Sequence, residues 1–587
     1  MIFVQYPVML SAVWSILALS AAPLPLLATS LRLSAWAELN RTVSGRLVQG
    51  VPFARACFPH VGAGVAGSFN KAQCEAVQTA YVTPEVLQTS LGAYINTQWE
   101  TCQATSEQCL LNFTDPADPV AIASHGGICA QGSVPDFGVN VQSAEDVKAA
   151  FTFSRETGVP LVVKGTGHDY KGRSGGAGTL AIWTHNLGGV VHEPKFIPTG
   201  CSKKTPTRNA VTIGAGVAYE ELVDFADANS LTIPAGGCIT VGAAGGYPQG
   251  GGHSMFSNVH GLAADRVIEI EVVTPRGDHL IANECQNTDI FWAMRGGGGG
   301  TFGVTLKMTT LVFPATTVNA VFATIDPSVP GQLLQFFQFM TDNALSYAQQ
   351  GWGYYLYPSL PGISMSNTIL SEKEAQASVK TLMDLVTKNF TGTNTWEMTL
   401  EPNYKTYYPK YVTRIPVPVG FAMTISSRLM PAKNFETAAG RQAIASAMTS
   451  IMKEAPVAIA FGVAPFFHGN TNNTSVNPAW YDSLWHLAIA NTWNYNQTAS
   501  SLTTIYQDLS TGIEPFRKLA PTSGAYPNEA DVYEPNFAES FWGSNYPRLL
   551  AIKQKYDPEH LLDCWQCVGW KGPKDPRYKC YIPIEGL

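Results

Sequence analysis

The stretch KGTGHDYKGRSGG, residues Lys164–Gly176, places a single histidine, His168, inside a run of glycines. Glycine costs conformational entropy, so a glycine-rich loop indicates that something large comes close to the backbone. Phosphate groups are common occupants of such loops, because backbone N–H groups can hold them. The stretch contains neither the Walker pattern GxxxxGK[ST] nor the dinucleotide pattern GxGxxG. Taken alone, it fits a phosphate-binding loop and a tight turn with an exposed histidine equally well.

Two further glycine-rich runs follow along the chain, at Ala235–Ser254 and at Gly296–Gly300. Flexible linkers are poor in aromatic residues, whereas Phe291, Trp292 and Phe302 flank the third run. Three such runs within one segment of alternating strands and helices therefore predict loops that converge on one extended ligand.

Local patterns predict the elements that carry these loops. A helix is predicted over 142–158, because Ser143 can cap it with Asp146 three residues on and Gly158 can end it. The apolar run 159–164 predicts a strand that leads directly into the loop of His168.

A change in the hydrophobic pattern of the sequence predicts a second domain. The segment 265–283 has the pattern of a β-hairpin that turns at Pro275–Asp278. From about Pro314 to Pro521 the chain shows longer amphipathic patterns and apolar strands. The remainder is aromatic and polar, and ends in a group of cysteines.

Length and composition indicate a folded protein of two large lobes. The chain has 587 residues, of which 45% are hydrophobic and only 14% charged. Its 37 basic and 44 acidic residues give a net charge of −7, and no basic run is present. This balance argues against a nucleic-acid partner.

The N-terminus predicts secretion. No charged side chain precedes Arg32, and the apolar run VMLSAVWSILALSAA is typical of a signal peptide over 1–29. A membrane anchor is the alternative, but Pro23 and Pro25 interrupt the run before it reaches ~20 residues. Six N-x-[ST] triplets add to the prediction of a secreted glycoprotein, at Asn40, Asn112, Asn389, Asn472, Asn473 and Asn496.

The cysteine count is odd. In an oxidising compartment eleven cysteines can form five disulfides and leave one over, although sequence does not give the pairing. The pair Cys564 and Cys567 has zinc-like spacing, but no second close pair accompanies it, which favours a disulfide. The cysteines are Cys57, Cys74, Cys102, Cys109, Cys129, Cys201, Cys238, Cys285, Cys564, Cys567 and Cys580.

Four blocks, in this order, resemble the berberine bridge enzyme-like branch of the vanillyl-alcohol oxidase (p-cresol methylhydroxylase-type) flavoproteins. They are VVKGTGHDYKGRS, PAGGCITVGAAGGYPQGGGHSMFSNVHGLAADRV, TDIFWAMRGGGGGTFGVTLKMTTLVFP and the end segment AYPNEAD with YDPEHLL. The resemblance covers the chain from about residue 125 onward. The N-terminal cysteines and the tail CWQCVGW look most similar to fungal secreted proteins of the isoamyl alcohol oxidase kind.

This resemblance implies an α+β fold of two lobes. A p-cresol methylhydroxylase-type FAD-binding domain is expected over 115–312, after a cysteine-rich N-terminal arm over 30–114. A substrate domain, an antiparallel sheet with covering helices, is expected over 313–520. The segment 521–587 is expected to return to the FAD-binding domain.

The resemblance also implies how FAD is held. His168 matches the family position bonded to the 8α-methyl of FAD, and Cys238 matches the position bonded to the 6-carbon of the flavin ring in many members. Cys238 would then be the odd cysteine. Further cofactor-binding residues are expected in the first two loops: Gly165, Thr166, Gly167, Asp169, Ser174, Gly237, Val241, Gly242, Gly245, Gly246, Gly251 and Gly252.

Two expectations concern the reaction itself. The family match puts Val241 over the reactive flavin face, where valine leaves room for dioxygen and leucine does not. A group that takes the alcohol proton is also expected near the substrate. Tyr526 and Asn528 match the C-terminal block, and His486 lies on the same strand face as Ala488, where some relatives carry an acidic or amide residue.

The sequence therefore predicts an FAD-linked oxidase that takes a hydride from an alcohol or similar donor and makes hydrogen peroxide from dioxygen. A tailoring oxidase of fungal secondary metabolism and a carbohydrate oxidase are the alternatives within this class. A non-enzymatic glycoprotein with the same fold is the alternative outside it, and the retained His168 and Cys238 argue against that. The expected partners are a small-molecule substrate and dioxygen, with no nucleic acid, no membrane after signal cleavage and a monomeric chain.

Overall fold

A computed structural model describes residues 34–584 except 63–64, 68, 359–360, 415–419 and 452–456. The predicted signal peptide over 1–29 lies outside the described residues. Within the described ranges, no helix is both long and apolar enough to cross a membrane.

The first lobe contains a small mixed sheet beneath the loop of His168. Helix Ala144–Thr157 packs on it through Val147 and Phe151, begins with the predicted capping box of Ser143 and Asp146, and ends at Gly158 with φ 70°. The predicted helix is thus confirmed. The strands, in spatial order, are Leu47–Gln49, Phe137–Asn140, Leu180–Trp183 and Leu161–Lys164.

An antiparallel sheet completes the first lobe and contains the predicted hairpin. Val267–Val273 pairs with His279–Asn283, as the sequence pattern indicates. The other neighbour of Val267–Val273 is Val304–Leu311, which follows the third glycine run. In spatial order the strands are His279–Asn283, Val267–Val273, Val304–Leu311, Arg208–Gly214 and Val190–Phe196.

The second lobe is a larger antiparallel sheet with helices on one face. Helices Gln332–Gln349 and Ala438–Ile451 pack on that face, while Tyr355 and Phe461 point from the opposite face towards the first lobe. This alternation is the period-two pattern of a sheet covered on both sides. The described strands, in spatial order, are Thr395–Glu401, Val318–Thr324, Gly362–Asn367, Gly353–Tyr357, Val457–Gly462, Ser483–Trp493 and Ala422–Pro431.

Short elements connect these layers. Two minor sheets pair Leu231–Thr232 with Phe313–Pro314, and His60–Val61 with both Val65–Ala66 and Ile128–Cys129. The other helices and helical turns described are 34–42, Arg55–Cys57, Lys71–Ala80, Pro84–Leu87, Thr97–Trp99, Pro119–Ala123, Tyr219–Ala228, Gly246–Gly250, Ser257–His260, Ala263–Arg266, Thr288–Ala293, Glu372–Ser378, Lys380–Asp384, Leu385–Asn389, Tyr404–Tyr407, Tyr408–Val412, Lys433–Glu436, Pro478–Trp480, Ala499–Gly512, Glu514–Leu519, Phe537–Trp542, Gly543–Asn545, Tyr546–Tyr556 and Pro576–Tyr578.

All eleven cysteines lie in the described part of the chain, and ten of them are paired. Cys238 is the free thiol, as expected. The Cys564 and Cys567 pair is a disulfide, so the zinc alternative is wrong. The bonds are Cys57–Cys74, Cys102–Cys580, Cys109–Cys129, Cys201–Cys285 and Cys564–Cys567.

The C-terminal segment returns to the first lobe. Lys171, in the first glycine-rich loop, donates from Nζ to Oε1 of Gln566 over 2.8 Å. Lys553 Nζ donates to the carbonyl of Thr301, beside the third glycine run, over 2.7 Å. The first-lobe sheet ends at Leu311 and the second-lobe sheet begins at Val318, while the domain boundaries at 114, 312 and 520 stay predictions.

Candidate functional site

A cavity of about 540 Å³ lies between the three glycine-rich loops and the face of the second-lobe sheet that is opposite its helices. Gly299, Gly300 and Gly303 line it from the third loop. Most of the residues predicted from the sequence line it as well: Gly165, Thr166, Gly167, His168, Asp169, Ser174, Gly237, Cys238, Val241, Gly242, Gly245, Gly246, Tyr526 and Asn528. Gly251, Gly252 and His486 do not line it, although they contact residues that do.

His168 and Cys238 lie side by side in this cavity. The Sγ atom of Cys238 is 3.8 Å from Nε2 of His168, and Oγ1 of the buried Thr240 bridges them at 3.3 Å from the sulfur and 2.7 Å from the nitrogen. Two nucleophilic side chains from different loops thus meet at one place.

The protonation of both groups is set mainly by burial. Burial lowers the pKa of His168 to about 4, so its imidazole is neutral at physiological pH. Burial also raises the pKa of the Cys238 thiol, although hydrogen bonds with Thr240 oppose the increase. A neutral imidazole has a free lone pair on one nitrogen. The neutral imidazole is therefore the form that can bond to carbon.

The loop of His168 is anchored at both ends. Nζ of the fully buried Lys164 donates to the carbonyls of Ser90, Leu91 and Ala93 over 3.0, 2.7 and 2.6 Å. Asp169 accepts from the backbone N–H of Lys171 and of Ser174, over 3.0 and 2.7 Å. The Asp169 side chain therefore fixes the loop in the conformation that presents His168 to the cavity.

Tyr526 and Asn528 sit on a tight turn of the C-terminal segment. The phenolic oxygen of Tyr526 accepts from the backbone N–H of Gly252 over 3.1 Å and from Nδ2 of Asn528 over 2.8 Å. Gly252 has φ +77°, and an added Cβ would lie 2.8 Å from Cβ of Ala263, so glycine is required there. Burial raises the pKa of Tyr526 well above its usual value, which keeps the phenol protonated.

His486 lies on the predicted strand face but beyond the end of the cavity. It is fully buried, and its Nε2 is 2.9 Å from Oε2 of Glu529, which does line the cavity. Nε2 of His253 is 3.1 Å from the same oxygen. His486 thus reaches the cavity only through Glu529, and its role as a base stays a prediction.

Glu529 and His253 are functional candidates that the sequence analysis did not single out. Burial alone would raise the pKa of Glu529, but His253 and His486 together hold it below its ordinary value. Burial lowers the pKa of His486. The signals in the sequence were slight: Glu529 directly follows Asn528, and His253 is the penultimate residue of the second glycine-rich run.

The wall of the cavity opposite the glycine loops is apolar and aromatic. It is built by alternate residues of the second-lobe strands, which is why their side chains share one face. Val241, from the second loop, lines the same cavity. The wall residues are Tyr355, Tyr357, Met423, Ile425, Ile459 and Phe461.

This architecture, a glycine-lined cavity between two lobes, is that of a flavin-binding oxidoreductase. Residues 135–283 match the FAD binding domain family, and residues 525–568 match the family described as berberine and berberine like. The chain belongs to the berberine-like FAD-linked oxidoreductases, and it is an enzyme of that family.

Individual relatives agree with this assignment. The chain is 34% identical to the FAD-linked oxidoreductase ffsJ of Aspergillus flavipes, over 94% of each chain. It is 33% identical to the FAD-linked oxidoreductase cheF of Chaetomium globosum, over 94% of this chain and 89% of that one. A crystal structure of a VAO-type flavoprotein from Myceliophthora thermophila C1 superposes with a TM-score of 0.80 and 27% identity, over 91% of this chain and 95% of that one. The predicted α+β, two-lobed fold is confirmed.

Proposed function

We propose that this protein is a secreted oxidase with bicovalently bound FAD, which oxidises an apolar alcohol or a similar C–H/O–H donor with dioxygen. One observation carries the proposal. A single cavity brings together the His168 and Cys238 pair, the glycine loops, the polar Tyr526 turn and an apolar wall. The tethers, the cofactor cradle and the substrate surface are thus parts of one site.

The residues present fit FAD. Glycines line the cavity from all three loops, and a Cβ added to Gly246 would have no heavy atom within 4 Å, so it would project into open space. Backbone N–H groups in such a cradle can bind the pyrophosphate. FAD bound here would accept two electrons and a hydrogen from the substrate and pass the electrons to dioxygen, forming hydrogen peroxide.

His168 and Cys238 are proposed to tether the flavin ring. A neutral imidazole and a thiol 3.8 Å apart could both bond to one flavin ring, His168 at the 8α-methyl and Cys238 at the 6-carbon. The pairing of the other ten cysteines supports this role, because no disulfide competes for Cys238. Tethers at these two residues would fix the orientation of a bound flavin ring.

The apolar wall supports an apolar or aromatic substrate over a carbohydrate. A sugar would bring many hydroxyl groups against Ile425, Ile459 and Phe461, which offer no hydrogen bond to replace those lost to water. The Tyr355 hydroxyl is buried in this wall and has no hydrogen-bond partner in the described part of the chain, so it can bind one substrate oxygen. A tailoring oxidase that acts on a largely apolar intermediate fits this wall.

Other features support the remaining parts of the proposal. Disulfides persist in oxidising compartments, so the five bonds favour secretion. Val241 lines the cavity, as expected for a residue that leaves room for dioxygen. We also propose, as the sequence-based expectation has it, that the chain works as a monomer.

The test is purification after secretory expression, followed by acid denaturation and a peroxide assay. We expect yellow colour that stays with the denatured chain. We also expect faster peroxide release from cinnamyl alcohol than from cellobiose. Intact flavin released by acid would contradict the covalent attachment, and peroxide from cellobiose alone would contradict the substrate class.

A further inference from the structure

We propose that Glu529 is the group that takes the substrate's hydroxyl proton, and that His253 and His486 are positioning residues that hold its carboxylate towards the cavity. The inference rests on the proposed function, because it needs a hydroxyl-bearing substrate in the cavity. It differs from the sequence-based candidates, which were Tyr526 and His486.

The hydrogen bonds of Glu529 leave one oxygen for the substrate. Oε2 is 2.9 Å from Nε2 of His486 and 3.1 Å from Nε2 of His253. No described residue hydrogen-bonds the other oxygen, Oε1, and Glu529 lines the cavity with 21% of its side chain exposed. An ionised carboxylate can only accept hydrogen bonds, so Oε1 is free to accept one from a substrate hydroxyl.

The tautomers of both histidines follow from their partners. The Nδ1 atoms of His253 and His486 are buried and have no hydrogen-bond partner among the described residues. An N–H therefore belongs on Nε2 of each imidazole, where the carboxylate accepts it. Two N–H donors on one oxygen stabilise the ionised form of Glu529 against the cost of burial.

Packing fixes this arrangement. His486 lies opposite Phe461 in the register of two adjacent strands, with ring centroids 5.3 Å apart. The ring of His253 is 5.1 Å from that of Phe461 and 6.1 Å from that of Trp480. Rings held on several sides keep their rotamers, so the carboxylate keeps its direction.

Tyr526 is suited to a different task on the same turn. Its oxygen already accepts two N–H groups, and no described residue accepts its proton, so it can donate that proton to the substrate oxygen. The backbone N–H of Glu529 donates to the carbonyl of Tyr526 over 3.0 Å, which closes the turn that carries both side chains. The turn thus presents one donor and one acceptor.

The proposed step balances as follows. The substrate's O–H bond breaks, and its proton moves to Oε1 of Glu529. The electron pair of that bond becomes the second carbon–oxygen bond of the product. The hydrogen on the carbon would leave with its electron pair, and FAD bound in the cavity would supply the oxidant that accepts it.

The first test compares Glu529→Gln with Glu539→Gln in the purified holoenzyme. Glu539 is exposed and lies outside the cavity, so the same chemical change there serves as the control. With cinnamyl alcohol under anaerobic conditions, flavin reduction should slow by ~10²–10⁴-fold in Glu529→Gln and stay unchanged in Glu539→Gln. Covalent flavin and melting temperature should be retained. A decrease of less than tenfold in Glu529→Gln would overturn the inference.

The second test separates positioning from structure through the pH profile. Burial without its donors raises the pKa of a carboxyl, so His486→Leu should move the acidic limb of kcat/KM to higher pH. His486→Gln retains an N–H donor and should restore the limb. An unmoved limb in His486→Leu would overturn the positioning role. The charged and titratable groups that face Glu529 are His253, His486, Tyr526, Tyr170 and Tyr355. Arg173 lies nearby and donates to Oδ1 of Asn528.

A third measurement needs no substrate. Infrared spectra at pH 7 can be compared with the spectrum of Glu529→Gln, which lacks this carboxyl group. The wild type should show no carboxylic-acid band assignable to Glu529, and such a band should appear in His486→Leu. A wild-type band that disappears in Glu529→Gln would overturn the inference, as would a stoichiometric divalent metal in the holoenzyme. A holoenzyme that dithionite reduces and cinnamyl alcohol does not would contradict the proposed substrate class, and the infrared result would then decide this inference by itself.

Discussion

The sulfur of Cys238 lies 3.8 Å from Nε2 of His168, although the two residues are 70 positions apart in the chain. Cys238 comes from the second glycine-rich loop, and His168 comes from the first. Thr240 lies within hydrogen-bond distance of both, so a third side chain holds the two residues next to each other. Either residue alone could tether a flavin, which leads to a test by single and double variants.

Substitution of one tether should leave the other in place. We expect His168→Ala and Cys238→Ala each to keep the yellow colour on the chain after acid denaturation, and the double variant to lose it. Absorbance of the washed precipitate measures this, with Thr240→Val as a control that keeps both nucleophiles. Complete loss of colour in either single variant would show that the attachment is monocovalent.

Tyr526→Phe should slow flavin reduction and also lower stability. The variant removes the proton that Tyr526 can donate to the substrate and leaves the Gly252 N–H without its acceptor. An unsatisfied buried donor costs about 1–3 kcal/mol. Anaerobic stopped-flow reduction should slow at least ~tenfold. The control is Tyr506→Phe, whose hydroxyl donates to Gln103 away from the cavity. Unchanged reduction would remove Tyr526 from the mechanism.

Val241→Leu should affect only the oxidative half of the cycle. The added methylene would occupy space that we assign to dioxygen, while the proton-transfer groups on the Tyr526 turn are untouched. We expect slower reoxidation in air-saturated buffer and an unchanged rate of anaerobic reduction. If the two rates change together, Val241 is part of the substrate surface and oxygen reaches the ring by another route.

A polar residue in the wall should weaken the binding of apolar substrates. Ile425 is buried in the wall, so Ile425→Asn would place an amide there that an apolar substrate cannot satisfy. We expect KM for cinnamyl alcohol to rise about tenfold with a smaller change in kcat. Ile425→Val, which stays apolar, is the matched control. Equal KM values in the two variants would mean that the substrate does not contact this wall.

Removal of the Cys102–Cys580 bond should cost more stability than removal of Cys57–Cys74. The first joins residues 478 positions apart and the second residues 17 apart, and chain entropy favours the longer loop. Losses of about 2–5 kcal/mol are typical for native disulfides. We expect a lower melting temperature for Cys102→Ser/Cys580→Ser than for Cys57→Ser/Cys74→Ser. The reverse order would show that local strain or packing outweighs loop length.

The sequence by itself determined the glycine-rich loops and singled out His168 and Cys238 within them as candidate flavin tethers. Helix Ala144–Thr157 and the strand before His168 follow from caps, glycines and apolar patterns, which act between near neighbours. The odd cysteine count indicated a thiol outside the disulfides, and the motif around Cys238 identified it. These properties are local, so a linear pattern carries them.

Only the tertiary structure decided the disulfide pairing and the environment of the Glu529 carboxylate. Glu529 lies 276 positions from His253 and 43 from His486, and no local pattern connects these residues. Whether a carboxyl is ionised depends on its burial and on its hydrogen-bond donors, which here come from the second glycine loop and from a second-lobe strand. Period-two alternation correctly placed His486 on its strand face. Where the cavity ends relative to His486 depends on how the two lobes meet, and that contact is long-range.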